Sequence, residues 1–312
     1  MRIGIVIDSA CDLPRSFIEQ HQLEIMPINL KLGSELLIDE RDPAATIAFY
    51  QRYVEQRDLD AETQPYSVEQ ITKLFLDKLV LKYDRILVIC IASSRSLIHE
   101  NATKASFAIL AGYKARRDRS SEPNEGVFQM RVLDSRTLFT GEAVLVHEAV
   151  RLLQKEQMPF DKLRPAVDEL SKHVHAYLVP NDLFFVYNRG RKRGDRSVSW
   201  LQMKVGSLLD IKPILKAYRG ETFPLEKHMG FEGALARLFE IALADVKRGR
   251  LRTKLVAMSY AGNPEVVRKY KAYAEFVKAC DKAGVETMLS VMSTTAGLNV
   301  GPGAFSLGYI GD

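Results

Sequence analysis

The residues of this chain best suited to chemistry are small hydroxyls, one amide and a set of glycines. Thr63 lies in "ETQPYS" (62–67), and Ser93, Ser94 and Ser96 lie in "ASSRS" (92–96). The C-terminal stretch "TTAGLNVGPGAFSLGYIGD" (294–312) adds Asn299, Gly301 and Gly303, and it reads as a loop whose backbone comes close to something. Neutral donors of this kind suit a nest that holds a small anion, with hydroxyls and backbone N–H groups doing what charge does elsewhere. A P-loop would follow its glycines with Lys and Ser or Thr, whereas Pro302-Gly303 runs into Ala304-Phe305, so a carboxylate fits better than a diphosphate. Taken singly, each hydroxyl is equally well read as a helix cap; it is their grouping that argues for a ligand.

Other chemistries lack their parts. A dinucleotide fold needs G-x-G-x-x-G after its first strand, but "IGIVID" is followed by Ser9, Ala10, Cys11, Asp12 and Leu13. There is no H-E-x-x-H, G-x-S-x-G or Walker A sequence. "HVH" (173–175) brings no third ligand at a metal-like spacing, and it and His147 read as packed or surface histidines. Asp8 at a strand end reads as the cap of a turn, and Asp12 before Leu13-Pro14 as a helix N-cap. Cys11, Cys90 and Cys280 are far apart with no C-x-x-C pair, which excludes a disulfide framework and fits a reducing compartment.

The elements that must position these groups follow from hydrophobic periodicity. "RIGIVIDS" (2–9), "DRILVICIASS" (84–94) and "FQMRVLDS" (128–135) are near-continuous apolar runs ending in small polar residues, as parallel strands buried on both faces require. "SVEQITKLFLDKLVLKY" (67–83) and "GEAVLVHEAVRLLQKEQ" (141–157) carry apolar residues three and four apart, which implies βαβ units and a parallel sheet. Ligands of such sheets bind at the carboxyl ends of the strands, where "SACDLP", "ETQPYS" and "ASSRS" would gather. The polar segment 113–126 reads as an exposed loop. Beyond about residue 160 the pattern changes to a hairpin turning at Arg219-Gly220 and helix-strand units over 231–293. At 312 residues two domains are expected, 1–160 with the mainly parallel sheet and 161–312 as a second α/β domain, with the ligand at their junction.

Composition narrows the class. Apolar residues make up 46% and charged residues 27%, and 44 basic against 39 acidic side chains leave only +5, too diffuse to argue for nucleic acid. "RGRKRGDR" (189–196) is basic but lacks interleaved aromatics, so it reads as a solvated or protein-docking surface. With no apolar run of about 20 residues and too short an N-terminal run for a signal peptide, a cytoplasmic protein without an integral membrane segment is expected.

The order "IVIDSACDLP", "IMPINLKLG", "ETQPYS", "IASSRSLIHENA", "VLDSRTLFTGEAVLV", "GSLLDIKPIL", "GNPE" and "GLNVGPGAFSLGY" resembles the DegV family of bacterial fatty-acid-binding proteins across nearly the whole chain. The resemblance implies a two-domain α/β protein that encloses a long-chain fatty acid, its carboxylate near the domain junction and its tail in an apolar tunnel. It implies a carrier rather than an enzyme, with no cofactor beyond the bound fatty acid, presenting the carboxylate to a separate fatty acid kinase for acyl-phosphate formation. The family's T-S-Q-P-S falls on residues 62–66, so its hydroxyl is Thr63. S-S-x-L-S-G-T-Y falls on 92–99, where Ser93 and Ser96 match while Ala92, Arg95, Leu97, Ile98 and His99 depart. H-T-G-P-G falls on 299–303, with Asn299 and Val300 in place of its histidine and threonine. On this reading Thr63, Ser93, Ser94, Ser96, Asn299, Gly301 and Gly303 hold the head group, while Arg189, Arg191, Arg193 and Arg196 dock an acidic partner. The rival reading is an enzyme acting on a small carboxylate metabolite in the interdomain cleft, with Ser93, Thr63 and Asp8 as its working groups.

Overall fold

The computed structural model describes residues 1–54, 60–121, 126–192 and 210–312. Its strands, in chain order, are β1 (Ile3–Asp8), β2 (Glu24–Met26), β3 (Ile28–Leu32), β4 (Glu35–Ile38), β5 (Ala61–Pro65), β6 (Arg85–Cys90), β7 (Gln129–Asp134), β8 (Val174–Val179), β9 (Ile211–Tyr218), β10 (Glu221–Met229), β11 (Leu251–Tyr260), β12 (Glu286–Val291) and β13 (Phe305–Gly311). They form a parallel sheet in the order β2-β1-β6-β7, an antiparallel sheet β4-β3-β5, and a mixed sheet β10-β9-β8-β13-β11-β12. The protein is therefore α/β with a parallel N-terminal sheet, as the apolar runs predict.

Side chains of β1 and β6 alternate between two apolar clusters. Val6, Ile86 and Val88 face a core that includes Ile71, Phe75, Ile98 and Ala102, whereas Ile5, Ile7, Leu87 and Ile89 face the helix Thr140–Gln154. That helix packs on its far side against Val174 of β8, Leu255 and Ala257 of β11, and Ile310 of β13. It is a layer shared by the two large sheets, which is why Ala143 through Val146 are all buried rather than forming one stripe. It comes close to the mixed sheet at Gly308, where a Cβ would stand 2.7 Å from the backbone nitrogen of Gly141.

Two local expectations change. The C-terminal stretch is not a loop: Thr294–Val300 is a helix, Gly301 ends it at φ 87°, and β13 follows as an interior strand. The polar segment after 112 begins with the helix Tyr113–Asp118, in which Tyr113 and Arg117 are buried; Arg117 donates to the carbonyls of Val80 (2.9 Å) and Tyr83 (2.7 Å). The hairpin stands where the turn residues place it, with Arg219 and Gly220 at φ 52° and 84° between β9 and β10.

Candidate functional site

The helix Thr294–Val300 is short, and short helices owe their existence to tertiary anchors. Ser293 caps it by accepting the Ala296 N–H at 3.0 Å. Asp39 accepts both the N–H of Thr295 (2.8 Å) and its hydroxyl (2.7 Å). Asp12 accepts the N–H of Ser293 (2.8 Å) and the hydroxyl of Ser259 (2.6 Å). The Tyr50 hydroxyl reaches the carbonyls of Met292 and Ser293 at 2.9 and 2.7 Å, and Gly297 makes room for it: a Cβ there would stand 2.1 Å from that oxygen.

Asp12 is thus not the N-cap of the helix that follows it, a position held by Pro14. It is buried against Arg41, whose Nη1 lies 3.7 Å away, and burial raises its pKa despite that cation. Asp8 does brace the next turn, accepting the Ala10 N–H at 2.9 Å, and it also takes the Ile91 N–H at 2.7 Å from the end of β6. Burial pushes Asp8 up to about 7 against these donors. Glu142, in the first turn of the helix Thr140–Gln154, is pushed well up for the same reason.

The predicted site residues occupy three places. Thr63 is half-buried in β5, opposite Leu30 of β3. Ser93 is exposed past the end of β6, its hydroxyl donating to Asp134 Oδ2 (2.5 Å) and its N–H to Oδ1 (3.2 Å). Ser94 donates to the carbonyl of Gly220 at 2.8 Å, tying this loop to the tip of the β9–β10 hairpin, and Ser96 accepts the N–H of Ile98 at 3.2 Å as the helix Ile98–Ala108 begins. The hydroxyls of Ser94 and Ser96 therefore have uses within the chain. Asn299 donates to the Thr295 carbonyl at 2.7 Å, leaving its Oδ1 buried without a partner. What approaches the two glycines is protein: a Cβ at Gly301 would stand 2.4 Å from the Phe185 ring, and one at Gly303 2.7 Å from Asn181 Nδ2.

The basic stretch divides. Arg189 is a correction to the docking set, because it is only 8% exposed and its guanidinium is spent inside the protein, on the carbonyls of Ala61 and Leu298 and the hydroxyl of Tyr53. Arg191 is exposed at the end of the helix Leu183–Lys192; Arg193 and Arg196 lie outside the described residues. Sequence reasoning missed Arg189 as a buried group because five basic residues in a row of eight look like surface. It also missed Asp39, whose partner Thr295 is remote in sequence.

Beside the N-terminal end of the helix Thr294–Val300, a cleft of about 370 Å³ opens between β4 and the helix Pro43–Val54, walled by Leu32, Leu37, Ile38, Phe49 and Tyr53. Among the described residues Ser93 has a carboxylate partner in Asp134 and no imidazole partner, and Asp8 is wholly buried with its oxygens on backbone N–H groups. His175 is stacked on Tyr309 at 5.2 Å, and burial presses its pKa down to about 4, while His147 stacks on Phe17 at 5.1 Å. Among the described residues no group of three or more His, Cys, Asp and Glu side chains is placed to hold a metal ion, and no helix is long and apolar enough to cross a membrane.

Known proteins match this chain from end to end. A DegV domain-containing protein of Xanthomonas axonopodis pv. citri is 42% identical over 99% of this chain and 97% of its own length. The solved structure of DegV from Bacillus subtilis, described as a fatty acid binding protein, superposes with a TM-score of 0.75 at 22% identity, covering 100% of both chains. The fatty acid kinase B3 protein of Streptococcus pneumoniae, loaded with linoleic acid, gives 0.73 at 16% identity, again over 100% of both. At those identities the two structures speak for the fold alone. The family model for DegV, described as an uncharacterised protein family, matches residues 2–312, and the chain belongs to the DegV family.

Proposed function

We propose that this protein is a non-catalytic carrier that binds one long-chain fatty acid, with Thr63, Ser93 and the segment from Asn299 to Gly303 at the carboxylate and the tail among apolar side chains. The observation that carries this reading is the set of neutral donors on β5, after β6 and on the last helix. Relatives described as fatty-acid-binding proteins support it. Affinity comes from the tail: each buried methylene gains about 0.8 kcal/mol, so about fourteen supply on the order of 10 kcal/mol before ordering costs. The donors chiefly prevent a loss, because an unpaired carboxylate out of water costs several kcal/mol. Ser93 now donates to Asp134, so a bound carboxylate takes that hydroxyl in Asp134's stead.

On this reading the chain divides into 1–160 and 161–312, and the site lies where the two halves would meet. Presentation to a fatty acid kinase is the partner reading, supported by the kinase B3 relative and by exposed Arg191, with Arg193 and Arg196 as the further candidates. Organic extraction of the purified protein followed by mass spectrometry tests the carrier reading. About one fatty acid per chain is expected, with rebinding after delipidation in the micromolar range or tighter; an extract holding only polar metabolites, with no fatty-acid binding by calorimetry, overturns it.

A further inference from the structure

We infer that Arg189 is a positioning residue for the head-group site: it holds the strand that carries Thr63 against the helix that carries Asn299. The inference rests on the fatty-acid reading and adds to it a residue that touches no ligand. Three separate elements converge on this one guanidinium. Its Nη1 donates to the carbonyl of Ala61, the first residue of β5; its Nη2 donates to the Tyr53 hydroxyl at 2.8 Å; and its Nε donates to the carbonyl of Leu298 at 3.3 Å. Tyr53 closes the set, its hydroxyl lying 3.5 Å from the same Leu298 carbonyl.

The chemistry at Leu298 explains why a cation is needed there. In a continuing helix its carbonyl would accept from the residue four positions on, which is Pro302 and has no N–H. The helix ends at Val300, so this is one of the orphan carbonyls at its negative pole, where a guanidinium is favoured. Leu298 is adjacent to Asn299. Ala61 is two residues from Thr63, hence on the same side of β5. The planar fork of Arg189 therefore fixes the spacing of two backbone points that flank the two head-group residues. A lysine has a compact point charge and cannot span three acceptors in that geometry.

A positioning role differs from a structural one in what it does to selectivity. Hydrogen bonds to a carboxylate fail when donors move by a fraction of an ångström, whereas burial of the tail has no direction. The readout is thus the ratio of affinities for oleic acid and oleyl alcohol, which share a tail and differ in the head, with thermal unfolding run alongside. The unmutated full-length protein is expected to prefer the acid by about ten-fold or more, as charge-assisted bonds are worth. In Arg189→Lys the acid should weaken by about ten-fold and the alcohol by no more than about two-fold, collapsing the ratio. Tyr53→Phe removes one hydroxyl and leaves the guanidinium in place; it should cut the ratio by about three-fold, and it decides the matter should Arg189→Lys fail to fold. A ratio unchanged in the folded variants, or equal losses for both ligands, overturns the positioning role while leaving the carrier reading intact. Failure of the unmutated protein to bind either ligand overturns both.

Discussion

The carboxylate of Asp12 accepts the backbone N–H of Ser293 at 2.8 Å across 281 residues of sequence. This bond joins the end of the first βα turn to the cap of the last helix, and Ser259 and Arg41 complete the carboxylate's surroundings. Asp12→Ala should strand a buried guanidinium and a buried N–H together, at a cost of about 3–5 kcal/mol in unfolding free energy. Urea denaturation measures it, and a loss below about 1 kcal/mol would show the network to be dispensable.

Asp8 gives stability a pH dependence of definite sign. Burial pushes its pKa up to about 7, so the folded state holds this proton more tightly than the unfolded chain does. The contribution is fully present below about pH 4 and is lost as pH rises to about 7, at no more than about 1.4 kcal/mol per pH unit. The difference in unfolding free energy between the unmutated protein and Asp8→Asn should therefore decline from pH 4 to 7 and level off above. His175, held down to about 4 by burial, titrates in the opposite sense but is common to both proteins. A difference that stays constant across the range would contradict the shift.

Gly301→Ala tests whether the terminal turn tolerates a side chain. Its φ of 87° strains any other residue, and the new Cβ would stand 2.4 Å from the Phe185 ring. A loss of about 1–3 kcal/mol from the backbone is expected, plus a steric part. Adding Phe185→Ala in a double-mutant cycle should relieve only the steric part; full additivity of the two losses would mean that the ring already has room to move.

Thr63→Ala and Ser93→Ala should each weaken oleic acid binding by about 1–3 kcal/mol, with thermal unfolding nearly unchanged. Should both variants bind as the parent does, the head group is held elsewhere, and Ser94 and Ser96 become the residues to change next.

The parallel sheet was legible in the sequence because β1 and β6 are buried on both faces, and a strand between two apolar layers has no polar alternation to obscure it. The hairpin at Arg219-Gly220 was legible because only certain residues accept positive φ. Thr63 and Ser93 could be singled out by residue type and by family motif, but periodicity placed 62–67 at the end of a parallel strand, whereas Thr63 lies in the middle of β5, a strand of the antiparallel sheet.

What the glycines near the C-terminus are for was decided only by packing. A glycine in sequence says that something comes close, but it does not name the neighbour, and the neighbours are Tyr50 at Gly297, Phe185 at Gly301 and the backbone of Thr140 and Gly141 at Gly308. The same holds for Arg189. Its sequence context is a run of exposed-looking cations, and its burial follows from acceptors at Tyr53, Ala61 and Leu298, which the chain brings together only in three dimensions. Local patterns determine which face of an element turns inward because periodicity is a property of the element itself. Which orphan carbonyl a buried cation answers depends on the relative placement of elements, and that is set by the summed packing of the whole core.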